Sequence, residues 1–412
     1  MEKKTAIVIG SGIVGLTSAY ILGQNDVKVT VLDAGPPELR ASTATAGIIG
    51  GSSVIPWASS TLWPRLPSHF LKRHGPLGMA MPLPPGLVSF FKNSVRAGRP
   101  EIRKKSAKGL ANLGLRGWNS WQSLLADLPE ARSLFKQNGC LFFCKTTEQL
   151  NIKNMNNTLR REFAMDITDL SPDDMITRIP MLKTSVAGGS CVNLAGHVTD
   201  PVELQETLKK AILKQDGKFI NANVTGFTKS KGKVTAVKSG SSEYQADAII
   251  LSAGSGSTAL ATDLGHSIPM IPAWGASVTF TNSDIYLKTP FLVLSDGFAV
   301  TSSKLGLRLS GLLQVGGAGK ASKMIPTLIS HAKDLFGSFG YTEIIPFTGP
   351  RPLTADSLPF LGKDPYYKNV FHNFGHGHWG LTQAAVSAKI ITDLVLGDST
   401  EIDISAYRVN RY

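Results

Sequence analysis

Gly10-Ser11-Gly12-Ile13-Val14-Gly15 follows the apolar run Thr5-Ala6-Ile7-Val8-Ile9 and opens a run of helix formers from Leu16 to Leu22. Asp33 stands eighteen positions past Gly15, at the end of a second apolar run, Val27 to Leu32. The order is strand, glycine turn, helix, strand, acid, which is the context a dinucleotide-binding turn requires. The first glycine makes the tight turn, the second lets backbone approach a pyrophosphate, and the third lets helix pack on strand. The helix N-terminus offers N–H groups and a positive dipole end to phosphates. Asp33 is placed to accept a hydrogen bond from a ribose hydroxyl.

At 412 residues the chain exceeds one comfortable core, so two domains are expected. It is 42% apolar and 18% charged, the balance of an ordinary globular protein. No apolar run approaches the roughly 20 residues of a spanning helix. The chain enters its first strand at once, so a cleaved leader is not expected. Three cysteines cannot make a disulfide framework. Cys140 and Cys144 share one face of a strand and read as small buried apolar residues. No Cys/His set has zinc spacing, so no metal is expected. A reduced, cytoplasmic chain is the simplest account.

Forty-three basic residues against thirty acidic ones give a net charge of +13. Such a surface favours anionic partners. No nucleic-acid motif or dense aromatic–basic interleaving is present, so nucleic acid is set aside. The segment Pro76 to Lys105 begins apolar and broken by prolines, continues as Leu87-Val88-Ser89-Phe90-Phe91, and ends with Lys92, Arg96, Arg99, Arg103, Lys104 and Lys105. It reads either as a stretch lying in a membrane interface or as a loop and helix with a solvated basic end.

Residues 1 to 55 read as the nucleotide βαβ unit and the loop after it, Arg40 to Ser53, which is small and glycine-rich with Ala46-Gly47 and Gly50-Gly51. Such a loop lets a ligand touch backbone. Gly114 to Leu128 reads as a helix with Leu115, Trp118, Trp121, Leu124, Leu125 and Leu128 near helical spacing, the tryptophans as core anchors. Gly139 to Lys145 is a strand. Pro201 to Gln215 is a helix with Asp200 as N-cap and Pro201 at its first position. Phe219 to Phe227 and Lys233 to Lys238 are strands, and Ala246 to Gly254 is a buried parallel strand ending in small residues. Ser277 to Phe280, Phe298 to Thr301 and Leu307 to Ser310 predict an antiparallel sheet. From Val370 the chain repeats strand, glycine-rich turn, helix. Nucleotide-type segments therefore lie at both ends and near residue 250.

Together these pieces resemble the D-amino-acid oxidase / glycine oxidase superfamily of FAD-dependent oxidoreductases, and most of all its bacterial D-amino-acid dehydrogenase branch. Ala41-Ser42-Thr43-Ala44-Thr45-Ala46-Gly47 is similar to the family's loop under the flavin. Gly139-Cys140-Leu141 is similar to its Gly-x-Leu strand, and Gly196-His197-Val198-Thr199-Asp200-Pro201 to the element before the returning helix. Leu307-Arg308-Leu309-Ser310-Gly311 resembles the Leu-Arg-x-x-Gly hairpin. The most specific matches are C-terminal: Gly349-Pro350-Arg351-Pro352-Leu353-Thr354-Ala355-Asp356-Ser357-Leu358-Pro359, then Gly375-His376-Gly377-His378-Trp379-Gly380. Two departures stand out. Gln314 replaces a usual Glu, and His378-Trp379 replaces other residues beside the flavin, which leaves substrate identity open.

The resemblance implies an α/β Rossmann-type FAD-binding domain of the glutathione-reductase-like kind plus an α+β substrate domain with a mainly antiparallel sheet. Expected intervals are 1–56, 190–262 and 345–412 for the FAD-binding domain, and 57–189 with 263–344 for the substrate domain. The cofactor is FAD, expected to be non-covalent because no cysteine stands where covalent-flavin relatives attach theirs. Its implied contacts are Gly10, Ser11, Gly12, Ile13, Val14, Gly15, Asp33, Ala34, Arg40, Ser42, Thr43, Ala46, Gly47, Ile48, Val224, Ala253, Gly254, Arg351, Gly375, Gly377, His378, Gly380, Leu381 and Thr382. A second helix N-terminus behind Gly375, Gly377 and Gly380 would stabilise negative charge growing on the flavin.

Arg351 is implied to clamp a substrate carboxylate with two parallel hydrogen bonds. That would set the substrate Cα–H for hydride transfer to the flavin, giving an imino acid that water hydrolyses. His378 is the second catalytic candidate, facing the carboxylate or the side chain, or else structural. His376 is expected to support the site by bonding backbone or a tyrosine, His197 to be structural, and Thr354 and Asp356 to hold the loop after Arg351, with Tyr286 a lid candidate against an ordinary surface residue. The implied reaction is oxidative deamination of a D-amino acid, including a D-proline-like one. A secondary amine or a 2-hydroxy acid as substrate stays open, as does a role as the FAD-binding subunit of a larger complex. Acceptor candidates are a quinone, a respiratory carrier or O2, with peripheral contact at the inner face of the cell membrane.

Overall fold

The computed structural model describes residues 3–36, 40–50, 54–57, 76–317 and 323–412. Its first layer is a six-stranded sheet in the order Lys218–Asn221, Lys28–Asp33, Thr5–Ile9, Ala248–Leu251, Val370–Phe374, Phe360–Lys363. The first five strands are parallel and the last is antiparallel. Four of the five residues of Thr5–Ile9 and all of Ala248–Leu251 are buried. That is the continuous apolar pattern of a strand covered on both faces. Helices Ile13–Gln24 and Gly380–Leu396 pack against one another in the same core as this sheet. Helix Pro201–Lys214 joins them, and Asp200 caps it by accepting from the Val202 and Glu203 N–H groups.

The second large sheet runs Ile344–Thr354, Met270–Thr281, Gly306–Gly316, Phe298–Ser303, Phe291–Val293, Cys140–Cys144, Gly188–Val192, Ile167–Leu170, with Leu77–Ala80 added beside Gly306–Gly316. It is mainly antiparallel, as expected, with parallel pairing where Phe291–Val293 meets Cys140–Cys144 and where Leu77–Ala80 meets its neighbour. Helix Met324–Phe336 closes its core with Leu328, Ala332 and Leu335. Cys140, Cys144 and Cys191 are all free and buried, and burial raises each thiol above its ordinary value.

Two elements differ from the sequence reading. Phe219 to Phe227 is not one strand. Lys218–Asn221 lies on the edge of the nucleotide sheet, whereas Gly226–Ser230 begins a separate antiparallel sheet with Lys233–Ser239 and Ser242–Tyr244. The chain breaks away after Ala222, whose N–H donates to the Asp33 carbonyl, and Ala222 to Val224 turn along a cavity wall. No glycine or proline marks that break. The helix expected over Gly114 to Leu128 begins at Pro100 and runs to Ala126. Its extra turns bury Ser106, Ala107, Gly109, Leu110, Ala111 and Leu113, mostly small residues that an apolar-periodicity reading passes over.

That long helix shares the core of the first sheet through Leu110, Leu113, Trp118, Trp121, Leu124 and Leu125. The proposed boundary at residue 57 groups it with the other part of the chain. Ala111 of this helix also packs with Cys140, Phe142 and Val192 of the second sheet, and the cavity described next is lined from both sheets. Among the described residues no helix is long and apolar enough to cross a membrane.

Candidate active site

A cavity of about 850 Å3 runs between the two sheets. At one end lies the turn after the first strand. Gly10 has φ +106°, and a Cβ there would lie 2.5 Å from the Ser252 carbonyl oxygen. Only glycine lets these two strand ends approach so closely. A Cβ on Gly15 would collide with the Gly10 carbonyl, so the third glycine fits helix to strand. Ile13 N–H, in the first helical turn, donates to Ser42 Oγ at 3.0 Å. Asp33 is fixed by three donors. Its Oδ2 accepts from Ser11 N at 2.5 Å and Ser11 Oγ at 2.8 Å, and its Oδ1 accepts from Gly35 N at 2.8 Å. Arg40 Nη2 stands 3.5 Å from the same carboxylate.

At the other end the Val370–Phe374 strand turns through Gly375 (φ +82°) and Gly377 (φ +55°) into the Gly380–Leu396 helix. Gly377 N–H donates to the Pro352 carbonyl at 3.1 Å, which ties this turn to the strand carrying Arg351. Trp121 Nε1 donates to the Leu381 carbonyl at 2.8 Å and steadies the first turn of the helix. A Cβ on Gly117 would lie 2.5 Å from the Thr382 carbonyl oxygen, so the long helix lies directly against that turn.

Arg351 projects from Ile344–Thr354 and lines the cavity half-buried. No carboxylate among the described residues is paired with it, and Nη1 donates to the Leu312 carbonyl at 2.7 Å. Burial lowers the guanidinium to about 10, which leaves it a cation at neutral pH. A bulge sets its position. Trp274 pairs with Gln314 and Ala276 with Gly311, so Gly275 faces both Leu312 and Leu313. Leu312 takes φ +56°, a left-handed conformation that costs a leucine about 1 kcal/mol or more. The bulge aims its carbonyl at Arg351. A Cβ on Gly275 would lie 2.5 Å from Arg351 Nη2, with Cζ and Nη1 closer still. The guanidinium is therefore folded back over a bare stretch of backbone.

His378 opens into the same cavity. Its side chain is exposed to the cavity space, and desolvation by the walls first, with the Arg351 guanidinium second, lowers its pKa below the ordinary imidazole value. His376 lies beneath the turn, buried, with Nε2 at 3.0 Å from Ser387 Oγ. Its partner is a serine of the following helix rather than backbone or a tyrosine, because its ring points into the helix and not across the sheet. Burial lowers it to about 3.

Most of the expected contacts line this cavity: Gly10, Gly12, Ile13, Val14, Asp33, Ala34, Arg40, Ser42, Ala46, Ile48, Val224, Ala253, Gly254, Arg351, Gly375, Gly377, His378, Gly380, Leu381 and Thr382. Four do not, and each has a packing task instead. Ser11 orients Asp33. Gly15 meets the Gly10 carbonyl. Thr43 is buried, and its carbonyl accepts from Arg308 Nη2. Gly47 (φ +80°) lies against Val198, whose N–H donates to its carbonyl at 2.8 Å. Gly51 to Ser53 of the loop lie outside the described residues.

Tyr286, the lid candidate, is 71% exposed and does not line the cavity. Gln314 points away too, its Nε2 donating to the Gly316 carbonyl. Asp356 holds the loop after Arg351 by accepting from Leu358 N and from Arg411 through two nitrogens. The Thr354 carbonyl accepts from Trp57 Nε1 at 2.8 Å. His197 is buried in a small sheet between Ile48–Ile49 and Phe135–Lys136, and burial lowers it to about 4.

The sequence reading missed one wall. Leu292, Leu294, Phe298 and Ala299, from the hairpin of the second sheet, face the cavity together with Pro350. They carry no polar signature, and the one available signal was the adjacency of Pro350 to Arg351. Outside the cavity, His266, Asp364 and His372 form a buried group of potential metal-binding type. Both Nε2 atoms hydrogen-bond the same oxygen, Asp364 Oδ2, at 2.6 and 2.9 Å.

The arrangement suits a long ligand with an anionic middle. Glycines whose side-chain positions are already filled, two helix N-termini and an oriented carboxylate are the parts a dinucleotide needs. Comparison with known proteins agrees with this geometry. The FAD dependent oxidoreductase (DAO) family model matches residues 5–394. A D-amino-acid oxidase of Bradyrhizobium diazoefficiens is 26% identical over 420 residues, covering 100% of this chain and 99% of its own. A D-amino acid dehydrogenase of Cereibacter sphaeroides is 29% identical over 427 residues, covering 98% and 95%. The crystal structure of glycine oxidase from Geobacillus kaustophilus superposes with a TM-score of 0.79 at 18% identity, covering 100% and 99%.

Proposed function

Because the chain belongs to the FAD dependent oxidoreductase family, we propose that it oxidises an α-amino acid, a D-enantiomer by preference, to the imino acid that water converts to a 2-oxo acid. The single observation carrying this reading is Arg351, a cation on the cavity wall with no carboxylate partner among the described residues. A cation taken partly out of water calls for a counter-anion. A substrate carboxylate supplies one, and the guanidinium fork fixes its orientation through two hydrogen bonds.

The residues present fit non-covalent FAD. Asp33 would take the ribose end, the N-terminus of Ile13–Gln24 with Ser42 the pyrophosphate, and the Gly375–Thr382 turn the flavin. When bound, FAD supplies the two-electron acceptor that the side chains lack. The chain's own residues do the rest. Arg351 grips the carboxylate, and the Leu312 carbonyl and the bare Gly275 backbone hold Arg351 in place. The apolar wall of Leu292, Leu294 and Phe298 excludes water and favours an uncharged side chain, since a charged one would find no partner there among the described residues.

Support for a quinone or respiratory carrier as electron acceptor is a surface feature. Met81, Val88 and Val95 are exposed beside Lys92, Arg96 and Arg99, the composition of a segment resting on an anionic membrane surface. Sedimentation with anionic vesicles tests that part, and a fully soluble protein with fast O2 turnover contradicts it. The central reading is tested by anaerobic mixing with a panel of D-amino acids. Bleaching of the yellow band is the expected result, and a flavin that none of them reduces excludes the substrate class. Arg351→Met should raise KM strongly while leaving bound flavin unchanged.

A further inference from the structure

The oxidation needs a substrate nitrogen with a free electron pair, yet an amino acid arrives as an ammonium. Either solvent takes that proton before binding or a group in the cavity takes it afterwards. The described cavity wall presents five titratable or charged side chains: Asp33, Arg40, Arg351, His376 and His378. Asp33 and Arg40 pair at the far end. Arg351 is a donor without a lone pair. His376 lies under the turn with its Nε2 on Ser387. His378 remains: its ring opens into the cavity on the turn tied to the Arg351 strand by the Gly377–Pro352 hydrogen bond.

We infer that His378 accepts the proton that the substrate's amino group loses before oxidation. This assignment rests on the amino acid reading above. The N–H bond breaks, its electron pair stays on nitrogen, and an N–H bond forms on the imidazole. The Cα–H bond then breaks with its pair leaving as hydride to the family's flavin oxidant, a C=N bond forms, and the imidazolium returns its proton to water. Substrate switches the acceptor on. With the cavity free of carboxylate, the Arg351 guanidinium disfavours any charge on His378. A carboxylate on Arg351 cancels that second cause and makes the imidazole more basic than in the carboxylate-free cavity, while enclosure still holds it below its ordinary value. The other groups facing His378 are Arg351 on the adjacent strand and His376 on its own turn, and burial keeps His376 neutral.

The test uses the flavin-loaded protein, stopped-flow flavin reduction, and whichever of D-alanine, D-valine, D-proline and D-phenylalanine reduces the parent fastest. His378→Gln should keep its flavin and its affinity for benzoate, a carboxylate without an amine. Its reduction rate at pH 7 should fall about 100-fold, the range of a lost general base. That deficit should close at pH values above the amine's own pKa. A rate–pH profile parallel to that of the parent overturns the assignment. The parent alone gives an independent answer: at saturating substrate, a limb at one pH for every substrate, at or below the ordinary imidazole value, supports the proposal, and a limb that tracks each substrate's free amine across the panel overturns it. A parent that no amino acid reduces overturns the underlying reading instead.

Discussion

Gly275→Ala separates the folding role of this strand from its functional role. The new Cβ would sit 2.5 Å from Arg351 Nη2 and nearer still to Cζ and Nη1. Ordinary carbon–nitrogen contact begins near 3.5 Å, so the fork must retreat by about 1 Å or more. The obstructing atoms belong to the end of a flexible side chain. The backbone can therefore stay in place, and the variant should fold with a stability change below about 1 kcal/mol. The retreat breaks the 2.7 Å bond from Nη1 to the Leu312 carbonyl and shifts the point where a carboxylate docks. A misplacement of about 1 Å costs on the order of 10²-fold, or about 2.7 kcal/mol. Steady-state kinetics should show kcat/KM down about 100-fold, mostly through KM, with flavin content unchanged. Combined with Arg351→Met, the glycine change should cost almost nothing further, because both remove one interaction. A folded, flavin-loaded Gly275→Ala protein with KM within about threefold of the parent would refute the placement of the carboxylate on Arg351.

Three further outcomes follow from other parts of the fold. Gly10→Ala must fit a Cβ 2.5 Å from the Ser252 carbonyl at φ +106°, where the obstacle is backbone and cannot yield; the protein should purify with little flavin, read from the ratio of visible to ultraviolet absorbance. His197 titrates at about 4 when folded, below its ordinary 6.5, so the unfolded chain binds the extra proton between those values and stability is lost as pH falls from 6.5 toward 4. Thermal melts should show that loss, up to about 3 kcal/mol from this residue, and His197→Gln should flatten the slope; an unchanged slope contradicts the burial account. Asp356→Asn leaves Arg411 without its counter-charge beside the loop after Arg351, and should destabilise by roughly 3 kcal/mol, measured by denaturant midpoint, with part of the loss recovered by pairing it with Arg411→Met.

The hydrogen-bonded pair of Gly377 and Pro352 shows why the site was only partly legible in the chain. Each of the two motifs it joins can be read locally, since a glycine turn before a helix and an arginine between prolines are patterns of neighbours. Their meeting is a long-range fact. Thr43 and Gly47 looked like ligand contacts because they share a loop with Ser42 and Ala46, yet the second sheet claims the first through Arg308 and the strand at Val198 claims the second. Tyr286 was assigned by the part of the chain it lies in, and only the fold could show that it faces solvent.

What the sequence determined by itself was everything set by local spacing: the βαβ turn, the Asp200 cap, the alternating strands and the three nucleotide-type segments. Those signals survive because period, turn chemistry and capping act within a few residues. Only the tertiary structure decided where Arg351 points. That depends on a bulge which sets one glycine against two residues, on a leucine held at positive φ, and on backbone left bare beneath the guanidinium. Register between strands some forty residues apart is fixed by packing, and no window of sequence records it.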